Sequence, residues 1–177
     1  IYAECLIEWQ SKFNLIGKST INSICHRHIL DSIQLVSIIP EDFQSLMDIG
    51  TGAGLPGFIL AIYYNQIGKD IYLVDSNKKK CSFLDHVATR CNVDVKIYAE
   101  RLQDLAVKDL FKVDVITARA FASIDNIMSL SRPYAHKKTK YLLQKGVNAK
   151  SELTNAKISS KLSCLLYTSD AADDTLW

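Results

Sequence analysis

The sequence predicts an α/β fold: a mostly parallel sheet with helices on both faces, preceded by a helical element. Three observations predict it. From residue 44 onward, short apolar runs alternate with amphipathic stretches. That alternation implies right-handed strand–helix–strand crossovers and a parallel sheet. A glycine-rich turn, DIGTGAGLPG (48–57), ends the first apolar run, and an acid, Asp75, ends the second.

Taken in order, residues 1–40 form the helical element. Tyr2, Cys5, Leu6, Trp9 and Phe13 fall at helical spacing on one apolar stripe. Asn22 is placed to cap a second helix running through Ile24, His28, Ile29 and Leu35, which Pro40 ends. Neither helix can bury its stripe alone, so both are expected to pack on the core at 41–162. Strands are predicted at Leu46–Ile49, Ile71–Val74, Val95–Tyr98, Val113–Thr117 and Tyr141–Gln144. Helices are predicted at 56–66, 77–91, 101–109 and 123–134. Ligands of such sheets bind at the carboxyl ends of the strands, so the residues after each strand are the ones to read for chemistry.

Composition narrows the function classes. The chain has 177 residues, 48% of them hydrophobic, which suits one domain with a real core. With 23% charged residues it is not a disordered chain. No apolar run approaches the roughly 18–20 residues needed to span a membrane. The five cysteines show no CxxC spacing, which argues against a disulfide framework or a zinc site and for a reducing cytoplasm. His26, His28, His86 and His136 have no companion Cys or carboxylate at ligand spacing, so no metal is expected. Nothing suggests a membrane partner or an oligomerisation motif, and a monomer is expected. The first residue is Ile and no signal pattern follows, which suggests a start inside a longer chain. The net charge is +2, and the last fifteen residues hold three acids and no base. The remaining, mildly basic body suits an anionic partner.

The glycine turn carries the strongest local signal. Gly50, Gly52 and Gly54 let the chain reverse tightly and a ligand approach the backbone. Pro56 suits the first turn of the following helix. A carboxylate at Asp75 is placed to accept hydrogen bonds from ribose hydroxyls. Two ligands fit this turn. Gly52, Gly54 and Gly57 satisfy GxGxxG, which suits a nicotinamide or flavin dinucleotide and an oxidoreductase. Asp48 immediately before the glycines gives DxGxGxG, which resembles the first motif of S-adenosylmethionine-dependent methyltransferases. A third reading, an RNA-binding domain without catalysis, fits the charge.

The rest of the chain adds a more specific likeness. FNLIG (13–17), RHILDS (27–32), MDIGTGAGLPGFILAI (47–62), LVDSNKKKCSFL (73–84), AERLQDL (99–105), ITARAFASI (116–124) and LLQKG (142–146) occur in this order. Together they resemble the RsmG family, also called GidB, bacterial methyltransferases of guanine N7 in small-subunit ribosomal RNA. The resemblance implies a class I, Rossmann-like methyltransferase sheet, S-adenosyl-L-methionine as methyl donor, and ribosomal RNA or the assembling small subunit as partner. Carried over by motif, it implies that Gly50, Leu55, Leu102, Gln103 and Arg119 line the donor pocket. Gly52 joins them from the glycine turn and Asp75 from the strand-end argument.

The chemistry implied needs no general base. Guanine N7 is a ring nitrogen with a free lone pair, so it attacks a methyl sulfonium without prior deprotonation. Alignment is then the enzyme's task, and it supplies roughly 7–11 kcal/mol in favourable cases. After the fourth strand the chain reads ARAFAS, not the [DN]-P-P-[FY] clamp of many exocyclic-amine methyltransferases. No catalytic base is therefore assigned. Lys145 after the fifth strand, with Lys78 and Lys79 beside Asp75, are candidate contacts to RNA phosphate. His28 and Asp31, one helical turn apart, read as a buried polar pair that holds the helix.

Residues 163–177 depart from the resemblance. CLLYTSDAADDTLW resembles translated adapter read-through, and no further pair of alternating strands is visible. The expectation is a non-native tail, a sheet lacking its final edge strands, and an unpaired edge on the fifth strand.

Overall fold

The computed structural model describes residues 1–108, 111–146, 152 and, as a strand, 164–168. Six strands form one sheet: β1 (Ser45–Ile49), β2 (Asp70–Val74), β3 (Lys96–Tyr98), β4 (Val113–Arg119), β5 (Ala135–Lys145) and β6 (Cys164–Thr168). Their order is β3-β2-β1-β4-β5-β6, and every pairing is parallel. The five expected strands are present. β5 begins earlier than its apolar run, because its polar start, Ala135–Lys138, is largely exposed beyond the core.

Helices cover both faces. On one face, α3 (Gly57–Tyr64) and α4 (Lys78–Cys91) pack with the N-terminal element over Leu46, Leu73 and Val115. On the other, α5 (Leu102–Lys108) and α6 (Ile124–Ser131) pack over Met47, Ile49, Ile116 and Leu143. Alternate strand residues thus feed opposite layers, as a sheet buried on both faces requires. Asn77 caps α4 by accepting from the amides of Lys79 and Lys80.

The N-terminal element starts with α1 (Tyr2–Gln10). Tyr2 stacks on Phe58 with ring centroids 5.6 Å apart, and Trp9 meets Phe83 edge-on at 5.8 Å. The Tyr2 hydroxyl donates to the Ala53 carbonyl at 2.7 Å, which ties α1 to the glycine turn. The second expected helix is not a single regular one. The chain passes through a 3₁₀ stretch (Lys18–Ser23), a π segment (Cys25–Leu30), one α turn (α2, Asp31–Ile33) and another 3₁₀ turn (Gln34–Ser37). Asn22 lies inside the first of these and does not cap.

The carboxyl edge differs from expectation. Cys164–Thr168 pair in parallel with Tyr141–Lys145. The edge of β5 is therefore covered, and five residues of the segment expected to be foreign supply a strand. Cys-Leu-Leu-Tyr is a continuous apolar run without alternation, a pattern that suits a parallel strand. Residues 169–177 lie outside the described residues.

Candidate donor and substrate pocket

The sheet reverses its direction of growth between β1 and β4, and the candidate site lies at the carboxyl ends of these strands. After β1 the amides of Gly50 and Thr51 donate to the Val74 carbonyl, so the turn is pinned to β2. Gly50, Gly52 and Gly54 have φ of 65°, 58° and 85°, the left-handed region that glycine enters without a Cβ clash.

Asp48 organises the turn from below. It is fully buried, and its carboxylate accepts from the Gly57 amide at 3.0 Å and from the Thr117 hydroxyl at 2.7 Å. Burial pushes its pKa up to about 6, against the hydrogen bonds that favour the anion. Asp75 shapes the turn from the side. One oxygen accepts from the Gly52 amide and the other from the Asn77 amide, both at 2.8 Å. The carboxylate is therefore held at the rim of the turn, half-buried.

Two adjoining cavities open there. The larger, about 650 Å³, lies between the glycine turn, Arg119 and the loop Lys12–Gly17. The smaller, about 270 Å³, lies between Val74–Ser76, Glu100–Gln103 and Phe121. Gly50, Lys80 and Ala120 line both. All seven residues expected at a donor site line this pair of cavities: Gly52, Leu55 and Arg119 the larger, Asp75, Leu102 and Gln103 the smaller, and Gly50 both.

The cationic candidates separate. Lys79 lines the larger cavity, with its ammonium 5.4 Å from the centre of the Phe13 ring. Lys78 is exposed on the same helix start but is not part of either cavity wall. Lys145 is buried, donates to the Ala122 carbonyl and pairs with Glu152 at 2.9 Å. Its ammonium is committed to structure, which removes it as a phosphate contact. The sequence places it just after the fifth apolar run, whereas it is the last residue of β5, and nothing in the sequence marks Glu152, seven residues on, as its partner.

Three more residues line the walls, Lys80 from the lysine run at the start of α4 and Ala120 and Phe121 after β4. Lys80 reaches the turn, lying 3.9 Å from where a Cβ on Gly52 would sit. Phe121 covers Gly50 so closely that a Cβ there would lie 2.1 Å from its ring. Ala120 between Arg119 and Phe121 takes φ 51°, a costly conformation for a residue with a Cβ. The ARAFAS motif pointed to this stretch without revealing its shape. His28 and Asp31 are both buried as expected, but they meet Arg119: the guanidinium lies 3.2 Å from His28 Nδ1 and 3.9 Å from Asp31. Among the described residues there is no cluster of side chains suited to a metal, and no helix is long and apolar enough to cross a membrane.

Sheet order, glycine turn and strand-end carboxylate are those of a Rossmann-like nucleotide-binding fold, and comparisons with known proteins place it among the class I S-adenosylmethionine-dependent methyltransferases. Solved structures share it. TehB from Haemophilus influenzae is similar over 90% of this chain and 50% of its own, with 14% identity and a TM-score of 0.51. A SAM-dependent methyltransferase from Thiobacillus denitrificans, solved with S-adenosyl-L-homocysteine, is similar over 70% of this chain and 53% of its own, at 16% identity and TM-score 0.53. Within that class, residues 1–169 match the family described as rRNA small subunit methyltransferase G. Proteins named ribosomal RNA small subunit methyltransferase G are 36% identical in Paramagnetospirillum magneticum (87% of this chain, 72% of that protein) and in Orientia tsutsugamushi (99% and 84%). The chain belongs to the rRNA small subunit methyltransferase G family, whose methyl donor is S-adenosyl-L-methionine.

The residues present fit that donor. A Cβ at Gly52 would meet no heavy atom nearer than 3.9 Å, so the glycine leaves a cradle open at the cavity wall. A dinucleotide fits less well. Its pyrophosphate needs the amide end of the helix after the turn. Here the Asp48 carboxylate already occupies the Gly57 amide at the start of α3.

Proposed function

We propose that this chain transfers a methyl group from S-adenosyl-L-methionine to N7 of a guanine in small-subunit ribosomal RNA, acting as a monomer in the cytoplasm. The observation that carries the proposal is that all seven expected donor residues line two adjoining cavities at the β1/β4 crossover. Asp75 and the smaller cavity suit the nucleoside end of the donor, with Leu102 and Gln103 at its far wall. Arg119 in the larger cavity suits the donor's carboxylate.

The donor supplies an electrophilic methyl group on a sulfonium; guanine N7 forms the new bond as the carbon–sulfur bond breaks. The chain's residues bind and align. Residues 1–40 contribute the outer wall of the larger cavity through Lys12–Gly17, and residues 41–162 the donor-binding core. Lys78 and Lys79 at the start of α4 are the cations placed to meet RNA phosphate. A guanine outside a regular helix suits this mouth, since sequence-specific RNA recognition favours unstacked bases.

Calorimetry with S-adenosylhomocysteine and with NAD tests the donor. Binding of the first and not the second is expected. Binding of NAD alone would overturn the methyltransferase reading.

A further inference from the structure

The larger cavity is joined to the N-terminal element by a chain of buried hydrogen bonds whose direction can be worked out. The Thr20 hydroxyl lies 2.8 Å from the Gly17 carbonyl and 2.8 Å from His28 Nε2. A hydroxyl has one proton, and a carbonyl can only accept. Thr20 therefore donates to Gly17 and accepts from His28. That places the proton of His28 on Nε2 and leaves a lone pair on Nδ1. Nδ1 is the atom that Arg119 approaches at 3.2 Å. A second arm arrives from β5: the Gln144 side-chain amide donates to Asp31 Oδ2 at 3.0 Å, and that oxygen lies 3.9 Å from the same guanidinium nitrogen. Thr20, His28, Asp31 and Gln144 are all buried.

From this we infer that His28 is a positioning residue: its Nδ1 lone pair, set by Thr20, aims the Arg119 guanidinium at the donor's carboxylate. The inference rests on the role given to Arg119 above. Three features support it. Arg119 ends β4 and borders Ala120, whose left-handed backbone starts the turn, so an anchor from outside its own strand holds the guanidinium toward the cavity. His28 sits in a π segment, a local departure from regular helix that turns its ring toward the cavity it lines. Burial, Arg119 and Arg27 hold the His28 pKa down to about 4, so the ring stays neutral and Nδ1 stays an acceptor at physiological pH. Gly17, at the far end of the relay, lines the same cavity. The outer wall and the donor-side cation are thus connected through one imidazole.

Calorimetry on the full chain separates positioning from general stability. S-adenosylhomocysteine carries the amino-acid end; methylthioadenosine keeps the nucleoside and sulfur but lacks that end. His28→Leu should weaken S-adenosylhomocysteine binding about tenfold, the loss of one charge-assisted contact, and leave methylthioadenosine binding unchanged. His28→Asn, which restores an acceptor near the Nδ1 position, should recover most of the loss. Thr20→Val, nearly isosteric, frees the tautomer and should reproduce the selective loss even where His28→Leu does not fold. Equal weakening of both ligands, or no weakening in either variant, would overturn the positioning role. Arg119→Ala keeps the two proposals apart: unchanged S-adenosylhomocysteine binding there would overturn the role of Arg119 itself.

Discussion

Asp48 carries an energetic cost that the glycine turn accepts. Its carboxyl is fully buried, and its pKa of about 6 stands above the ordinary 3.8. The native state therefore binds the proton more tightly than the unfolded chain. Asp48 then favours folding least above about pH 6, and its contribution falls as pH rises from about 4 to about 6, by about 3 kcal/mol at most. Asp48→Asn keeps one oxygen for the Gly57 amide and turns its own amide to Thr117. Urea unfolding of both proteins should show the variant gaining stability relative to the parent across that window. Parallel pH profiles would contradict the assignment. Gly52 is the second test at this scale. An alanine there has room for its methyl but must hold φ near 58°, at a cost of roughly 1–2 kcal/mol. The methyl would project into the cradle, so Gly52→Ala should lose S-adenosylhomocysteine affinity by more than its modest drop in stability explains; an unchanged Kd would show that the cradle is not where the donor lies.

Elements differ in how plainly the sequence announces them. The first four strands are legible to within one or two residues because strands of a sheet covered on both faces are rich in apolar residues, as in the continuous run Ile71–Val74. The helices between them follow from caps and apolar stripes, as Asn77 before α4 shows. Lys18–Ser37 was legible as helical but not as a mixture of 3₁₀, π and α turns. The reason is physical. Its buried positions include Thr20, His28, Asp31 and Ser32, which are fixed by specific hydrogen bonds, those of His28 to Arg119 and Asp31 to Gln144 reaching far along the chain, and hydrophobic periodicity is blind to those. The same blindness hid the Lys145–Glu152 pair. β6 is not legible by alternation because its residues form a continuous apolar run. Its pairing makes a prediction opposite to that of a dispensable tail: truncation after Ser163 uncovers the edge of β5 and should lower the thermal midpoint. An unchanged midpoint would show that the strand contributes nothing to the fold.

At the scale of the whole molecule, the N-terminal element and the sheet make one site between them. Tyr2 holds the glycine turn through Ala53, Phe13 lies under Lys79, and His28 reaches Arg119. The half proposed for the donor was named from the sequence by family resemblance, the glycine turn and the strand-end acid, and its seven residues line the two adjoining cavities. The substrate half was not, because the loop Lys12–Gly17 comes to the cavity only through tertiary packing. The central claim is methyl transfer to guanine N7, and the most direct measurement is transfer of a tritiated methyl group from S-adenosylmethionine to purified small ribosomal subunits. After nuclease digestion the label should appear in RNA as 7-methylguanosine, and Arg119→Ala should reduce it. Label on protein, on another nucleoside, or nowhere despite donor binding would contradict the account.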